Sequence, residues 1–134
     1  MSIEADTYTF LSNQAGITNI VGTRIYPSHL PQNPTYPAML YTLISADHIT
    51  SLDDSVGMVR ARVQFDVYSP SMANVVNTIE QLRQSLQKYS GSYGAGTCLT
   101  AKLINDFLAV EKPADGSSNW LHRKSADYLI TLRE

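Results

Sequence analysis

The run from Val59 to Tyr68 constrains this chain more than any other. Val59, Ala61, Val63, Phe65 and Val67 alternate there with Arg60, Arg62, Gln64, Asp66 and Tyr68. Successive side chains of a strand point to opposite faces, so strict period-two patterning describes a strand with one face in a core and the other in water. A neighbour lies just upstream. Pro37 opens the β-prone stretch Ala38-Met39-Leu40-Tyr41-Thr42-Leu43-Ile44-Ser45, which is apolar on both faces and reads as a strand buried on both sides. Asp47 to Gly57 reads as a polar loop joining the two strands into an antiparallel hairpin.

The layer that covers the apolar side is legible next. Ser69 reads as a helix cap and Pro70 as the first helical residue. Met72, Val75, Val76, Ile79, Leu82, Leu86 and Tyr89 then recur at helical spacing, with Asn74, Asn77, Glu80, Arg83, Gln84 and Gln87 on the polar side. A shorter helix is expected over residues 2–15, with Ser2 as cap, Glu4 and Asp6 in the first turn, and Gly16 as the stop. Ile3, Thr7, Phe10 and Leu11 form its narrow apolar stripe. Between that helix and Pro37 the turn formers Asn19, Gly22, Pro27, Pro31, Asn33 and Pro34 point to an irregular segment, pinned by Ile17, Ile20, Val21, Ile25 and Tyr26. Residues 90–96 read as a flexible break. Cys98 to Val110 reads as a third strand interrupted near Asn105-Asp106. After the turn-rich stretch Pro113 to Ser118, Trp120 to Leu132 forms the last strand, with Ala126, Tyr128, Ile130 and Leu132 on one face. The expected fold is α+β, in the order α-β-β-α-β-β. It is a mixed, mainly antiparallel sheet of about four strands packed against two helices, and one domain over residues 1–134.

Charged residues make up 16% of the chain, against roughly 25% in an average soluble domain. Uncharged polar groups and the eight tyrosines are cheaper to bury against a partner than ions are. The net charge is −2 with no basic run, which argues against a protein that grips nucleic acid through phosphates. Cys98 is the single cysteine and fits a reducing compartment. The first ten residues contain Glu4 and Asp6 and no base, unlike a secretory leader. The charge-free run Ile25 to Ala46 holds Pro27, Pro31, Pro34 and Pro37, so no membrane helix is expected there.

Catalytic and metal-binding patterns are not readable. His29, His48 and His122 lie far apart, and one cysteine supplies none of the paired ligands of a zinc site. Asp47, His48, Asp53 and Asp54 cluster in the first hairpin loop. They lack the alternating oxygen ligands and closing glutamate of a calcium loop, and read as a solvated tip that would be the charge complement of a partner. Gly91, Gly94 and Gly96 follow a helix rather than a strand, the reverse of a phosphate loop. Cys98 has no base beside it and reads as a buried structural thiol. Arg60, Arg62, Gln64 and Tyr68 share the wet face of the alternating strand. They read either as a solvated face or as a contact surface, since arginine and tyrosine are favoured at interfaces. Trp120 reads equally as core or interface. No catalysis and no cofactor are expected.

The stretch Arg24-Ile25-Tyr26-Pro27, then Leu30-Pro31-Gln32, then Tyr36-Pro37 leading into a strand, forms a pattern with Arg62-Val63-Gln64-Phe65-Asp66-Val67-Tyr68, the helix after it and the closing Asp127-Tyr128 strand. In this order the chain resembles the tail-completion proteins of long-tailed bacteriophages, also called tail terminators or tail-to-head joining proteins. The resemblance covers nearly the whole chain. It implies a non-enzymatic virion protein, made in the host cytoplasm, that closes into a homo-oligomeric ring, usually hexameric. The ring would sit on the head-proximal end of the tail tube, stop polymerisation of the tube protein, and offer a docking surface to the head-tail connector. DNA would pass through without specific binding. On that reading the acidic loop faces the lumen or tube, and Arg60 and Arg62 lie near a subunit interface. A neck or connector protein, another minor tail component of similar fold, and a small generic binding module are the alternatives.

Overall fold

The computed structural model of the protein describes residues 3–32, 34–50, 55–111 and 120–133. Its elements run α1 (Ile3–Ser12), α2 (Ala15–Val21), β1 (Ile25–Pro27), β2 (Ala38–Thr50), β3 (Ser55–Ser69), α3 (Met72–Leu86), β4 (Gly91–Tyr93), β5 (Gly96–Glu111) and β6 (Leu121–Arg133). The strands form one six-stranded sheet in the order β1-β2-β3-β6-β5-β4. β1 runs parallel to β2, and every other pairing is antiparallel. The fold is therefore mixed α/β and mainly β. The expected sheet of about four strands with two helices is corrected to six strands with three helices among the described residues. The four expected strands are its long members, and the additions are the short strands β1 and β4 at the two edges.

The alternation of β3 does what period two requires. Val59, Ala61, Val63, Phe65 and Val67 are buried on the helix side, and Phe65 packs edge-on against Tyr128 of β6 with ring centroids 5.9 Å apart. Ala126, Tyr128, Ile130 and Leu132 of β6, together with Met39 and Tyr41 of β2, join the same core. α3 lies across β3 and β6 and contributes Val75, Ile79, Leu82 and Leu86. The cap of α3 is Ser71 rather than the expected Ser69. Ser71 accepts from the Asn74 amide (3.4 Å), and the Ser69 hydroxyl accepts from the Ser71 amide (3.0 Å). The helix thus starts at Met72.

The first helix stops at Ser12 instead of continuing to Gly16. The amides of Asn13 and Gln14 turn back to the carbonyls of Phe10 and Leu11, and a second helix starts at Ala15 with Gly16 inside it. The segment expected to be irregular therefore carries α2 and β1. Arg24 fixes it: its Nε donates to the Pro37 carbonyl (2.8 Å), and its own carbonyl accepts from the Met39 amide (2.9 Å).

α1 touches β1 and β2 near one edge of the sheet and β4 at the other edge. A flat sheet cannot bring its outermost strands to one short helix, so the sheet is curled around its helices. The β4 contact is specific. Asp6 is buried and accepts from the Ala95 amide (2.9 Å), while the buried Tyr93 hydroxyl donates to Thr7 Oγ1 (2.9 Å). Gly94, between them, has φ +60°. Residues 90–96, expected to be a flexible break, are thereby a docked turn and strand.

Burial leaves a titration signature. It pushes the Cys98 thiol up from 9.0 to about 11 and the Tyr128 phenol from 10.0 to about 12, and it raises Tyr93 further. All are neutral in the folded chain at neutral pH. On unfolding each returns to its ordinary value, so the unfolded chain releases protons first. The stability these groups contribute is whole below about pH 9 and is lost as the pH rises through 11 to 12. Calorimetry is expected to give a flat Tm from about pH 7 to 8.5 and a fall of at least about 5 °C by about pH 11. A Tm that stays level to that pH would refute the burial of these groups.

Candidate interaction surface

All three helices lie on one face of the sheet, and no described element covers the other. Cross-strand partners share a face, so register identifies what the open face carries. Arg62 of β3 stands level with Leu129 of β6 and Lys102 of β5. Asp66 stands level with Ser125 and Phe107, and Tyr68 with Arg123 and Ala109.

This face is not uniformly wet. Asp66, Ser125 and Asp127 are buried on it. Arg62 Nη2 donates to Asp127 Oδ2 at 3.0 Å, Gln64 Nε2 donates to the Asp66 carboxylate at 3.1 and 3.2 Å, and the Ser125 hydroxyl donates to Asp66. The arginine side chain is 44% exposed and the aspartate's 11%. Arg62 therefore covers the Asp127 carboxylate with its guanidinium while its side chain stays partly in solvent. Asp127 Oδ1 and Arg62 Nε have no hydrogen-bond partner among the described residues. Farther along, the Arg123 guanidinium lies over the Phe107 ring, 5.8 Å from its centroid.

The expected contact residues Arg60, Arg62, Gln64 and Tyr68 do project together from this face, with Arg60 exposed and the other three half-buried. The expected loop from Asp47 to Gly57 is corrected. β2 continues to Thr50 and β3 begins at Ser55, because pairing persists through Asp47↔Arg60, His48↔Val59 and Ile49↔Met58. Each added pair satisfies backbone groups at the cost of holding residues of low strand propensity, such as Asp47, in a strand. Asp47 thus stands opposite Arg60 on the open face, while His48 is exposed on the helix side opposite Val59. Asp53 and Asp54 lie outside the described residues. Ser125 and Asp127 went unread as site residues. Their signal was the alternation of Arg123, Ser125 and Asp127 with Ala126 and Tyr128, a second half-polar strand like β3.

A second exposed patch is apolar and takes in both faces of β5. Ile104, Phe107, Leu108 and Val110 of β5 are each more than 40% exposed, as is Trp120 just before β6. The β5 residues lie on the half of that strand that pairs with His122 to Asp127 of β6. Ile44 of β2 is 49% exposed. Ile44 and Ile104 occupy the register shifts of their strands, β-bulges that bend a strand and strengthen its twist. Among the described residues no group of three or more His, Cys, Asp or Glu is placed to hold a metal ion, and no helix is long and apolar enough to cross a membrane.

The chain is thus a curled sheet backed by helices on one side, with an open polar face and exposed apolar residues along β5. The family described as tail completion protein gp17 matches over residues 6–118, and the chain belongs to that family, a group of phage tail structural proteins. Its fold is similar to that of a chain from the virion of a native gene transfer agent particle, with a TM-score of 0.62 and 14% identity over 96% of this chain and 92% of that one. No curated protein matches the sequence. The place of a tail structural protein is the virion.

Proposed function

We propose that the chain acts as a tail terminator: copies close into a ring, hexameric in the virion, on the head-proximal end of the tail tube. The ring halts addition of tube protein and presents its other side to the head-tail connector, and DNA passes through its centre without specific binding. The chain works as a scaffold, without catalysis or cofactor. The observation that carries this reading is membership of the tail-completion family, on a fold shared with a chain of a phage-like particle. Two surfaces of different chemistry support it, because a ring of identical subunits needs two unlike patches that recognise each other. In this reading Arg60, Arg62, Gln64 and Tyr68 contribute to a contact face. Asp47 and His48, at the Thr50 end of β2, and Asp53 and Asp54 are assigned to the side toward the tube or lumen.

Light scattering and negative-stain imaging of the protein, alone and with purified tails, test the reading. Annular particles, or single caps on tail ends, are expected. Absence of both would overturn it. The double variant Arg60→Ala/Arg62→Ala is expected to weaken ring assembly at least about tenfold, as loss of interface arginines does. Arg62→Ala alone is expected to cost only about 1 kcal/mol of stability, because its pair with Asp127 is partly exposed. Normal ring yield and normal particles from the double variant would remove these arginines from the interface.

A further inference from the structure

The sheet has two long edges that are only partly closed. β1 pairs with Met39 to Tyr41 of β2, so among the described residues the outer edge of β2 has no strand neighbour from Thr42 onward. β4 pairs with Gly96 to Cys98 of β5, the Lys88 amide donates to the Ala101 carbonyl (2.9 Å) and the Leu103 amide donates to Gln87 Oε1 (3.2 Å), so among the described residues the outer edge of β5 has no strand neighbour from Asn105 to Glu111. Neither open run contains a proline. Unpaired amides and carbonyls along such edges are a template for another strand, and soluble proteins usually cover or disrupt them.

We propose that these edges are the ring joint: β2 of one copy adds to β5 of the next and continues the sheet from subunit to subunit. This rests on the ring-forming reading above and specifies its interface. Direction follows from topology. β2, β3, β6 and β5 are successively antiparallel, so the two outer members of this set run opposite ways. Copies related by rotation about an axis along the strands therefore present β5 to β2 in antiparallel sense, always head to tail.

Register follows from the caps, which sit at opposite corners of the sheet. β1 closes the Ala38 end of β2, level with Val67, and β4 closes the Gly96 end of β5, level with Arg133. An incoming β2 clears both caps only when it is staggered, so that Thr42 stands near Glu111. Strand stagger of this kind is what a closed, tilted sheet requires. With that stagger and the bulge at Ile44, the helix-side residues pair as Leu43 with Val110, Ala46 with Leu108, and His48 with Asp106. The exposed Leu108 and Val110 gain apolar neighbours, and a histidine meets a carboxylate. On the open face Ser45 stands beside Ala109, and Asp47 stands beside Phe107, whose ring already carries the Arg123 guanidinium.

Cysteine pairs test the joint in the full chain, since residues directly opposite in antiparallel strands lie within disulfide reach. After assembly on tails and mild oxidation, Ser45→Cys/Ala109→Cys and Asp47→Cys/Phe107→Cys are each expected to give covalent ladders up to the ring's full copy number. The single variants are expected to give none. In the unmodified protein, hydrogen exchange at residues 42–48 and 106–110 is expected to slow at least about tenfold on assembly. Rings or caps that form without a ladder and without slowed exchange at both edges overturn the joint and leave the ring reading intact. A dimer from Ala109→Cys or Phe107→Cys alone overturns it too, because it means a two-fold β5–β5 contact. Failure to assemble at all, seen by mass and imaging, overturns the ring reading itself.

Discussion

Gly94→Ala is expected to lower the unfolding free energy by about 3 kcal/mol, read as the shift in urea midpoint by circular dichroism. Two costs add. At φ +60° any residue with a Cβ is strained, and a Cβ built on Gly94 falls 2.5 Å from both Cα and Cβ of Asp6. The first contact is with backbone, so shortening Asp6 does not relieve it. α1 has to move. Movement breaks the Asp6–Ala95 and Thr7–Tyr93 hydrogen bonds that hold the helix on β4. Gly94→Asn separates the two costs, because asparagine tolerates a positive φ but keeps the Cβ. It is expected to be nearly as damaging as alanine. If Gly94→Asn is close to wild type, the close approach of α1 is refuted.

Phe65→Ala is expected to cost about 3–5 kcal/mol, the range for a large side chain removed from a rigid core. Phe65 is fully buried on an inner strand, level with Tyr41 and Ala126, and its ring sits edge-on to Tyr128. Neither neighbouring strand can collapse into the space without breaking its ladder. Tyr68→Ala, on the open face of the same strand and half-exposed, is the control and is expected to cost less than about 1 kcal/mol. The contrast reads the face assignment directly. Equal losses from the two variants would mean that the open face is covered in the isolated chain.

The elements legible in the sequence were those whose stability is written in their own periodicity. β3 alternates without exception from Val59 to Tyr68, and α3 repeats at 3.6 from Val75 to Leu86. Even the interruption of β5 was visible at Asn105, one residue from the bulge at Ile104. What escaped were elements held by their neighbours. β1 exists because Arg24 fixes its start to Pro37 and Met39, a contact between segments that no local pattern announces. β4 sits in a glycine-rich stretch that reads as a linker and is ordered by α1. β2 runs on through Asp47 and His48 because β3 is there to pair with, overriding weak local propensity.

The site was legible by face but not by chemistry. Alternation placed Arg60, Arg62, Gln64 and Tyr68 together, yet it treated Asp66 as wet, although it is buried with Ser125. Burial on an uncovered face depends on long neighbours folding over short ones, and that follows only from the pairing of β3 with β6. The edges left no trace in the sequence either, because an unpaired edge is a property of strand order.

The bridge that α1 makes from β1 and β2 to β4 reaches beyond stability. A sheet free to flex tolerates a range of angles between neighbours in a ring, and so a range of copy numbers. Here a helix of ten residues spans the curl like the chord of an arc and fixes its radius. In copies joined edge to edge, the fixed angle between the two sheet edges would set the angle between neighbours. The aperture would then be gauged at Asp6, Thr7 and Gly94, none of which faces a neighbour across the joint.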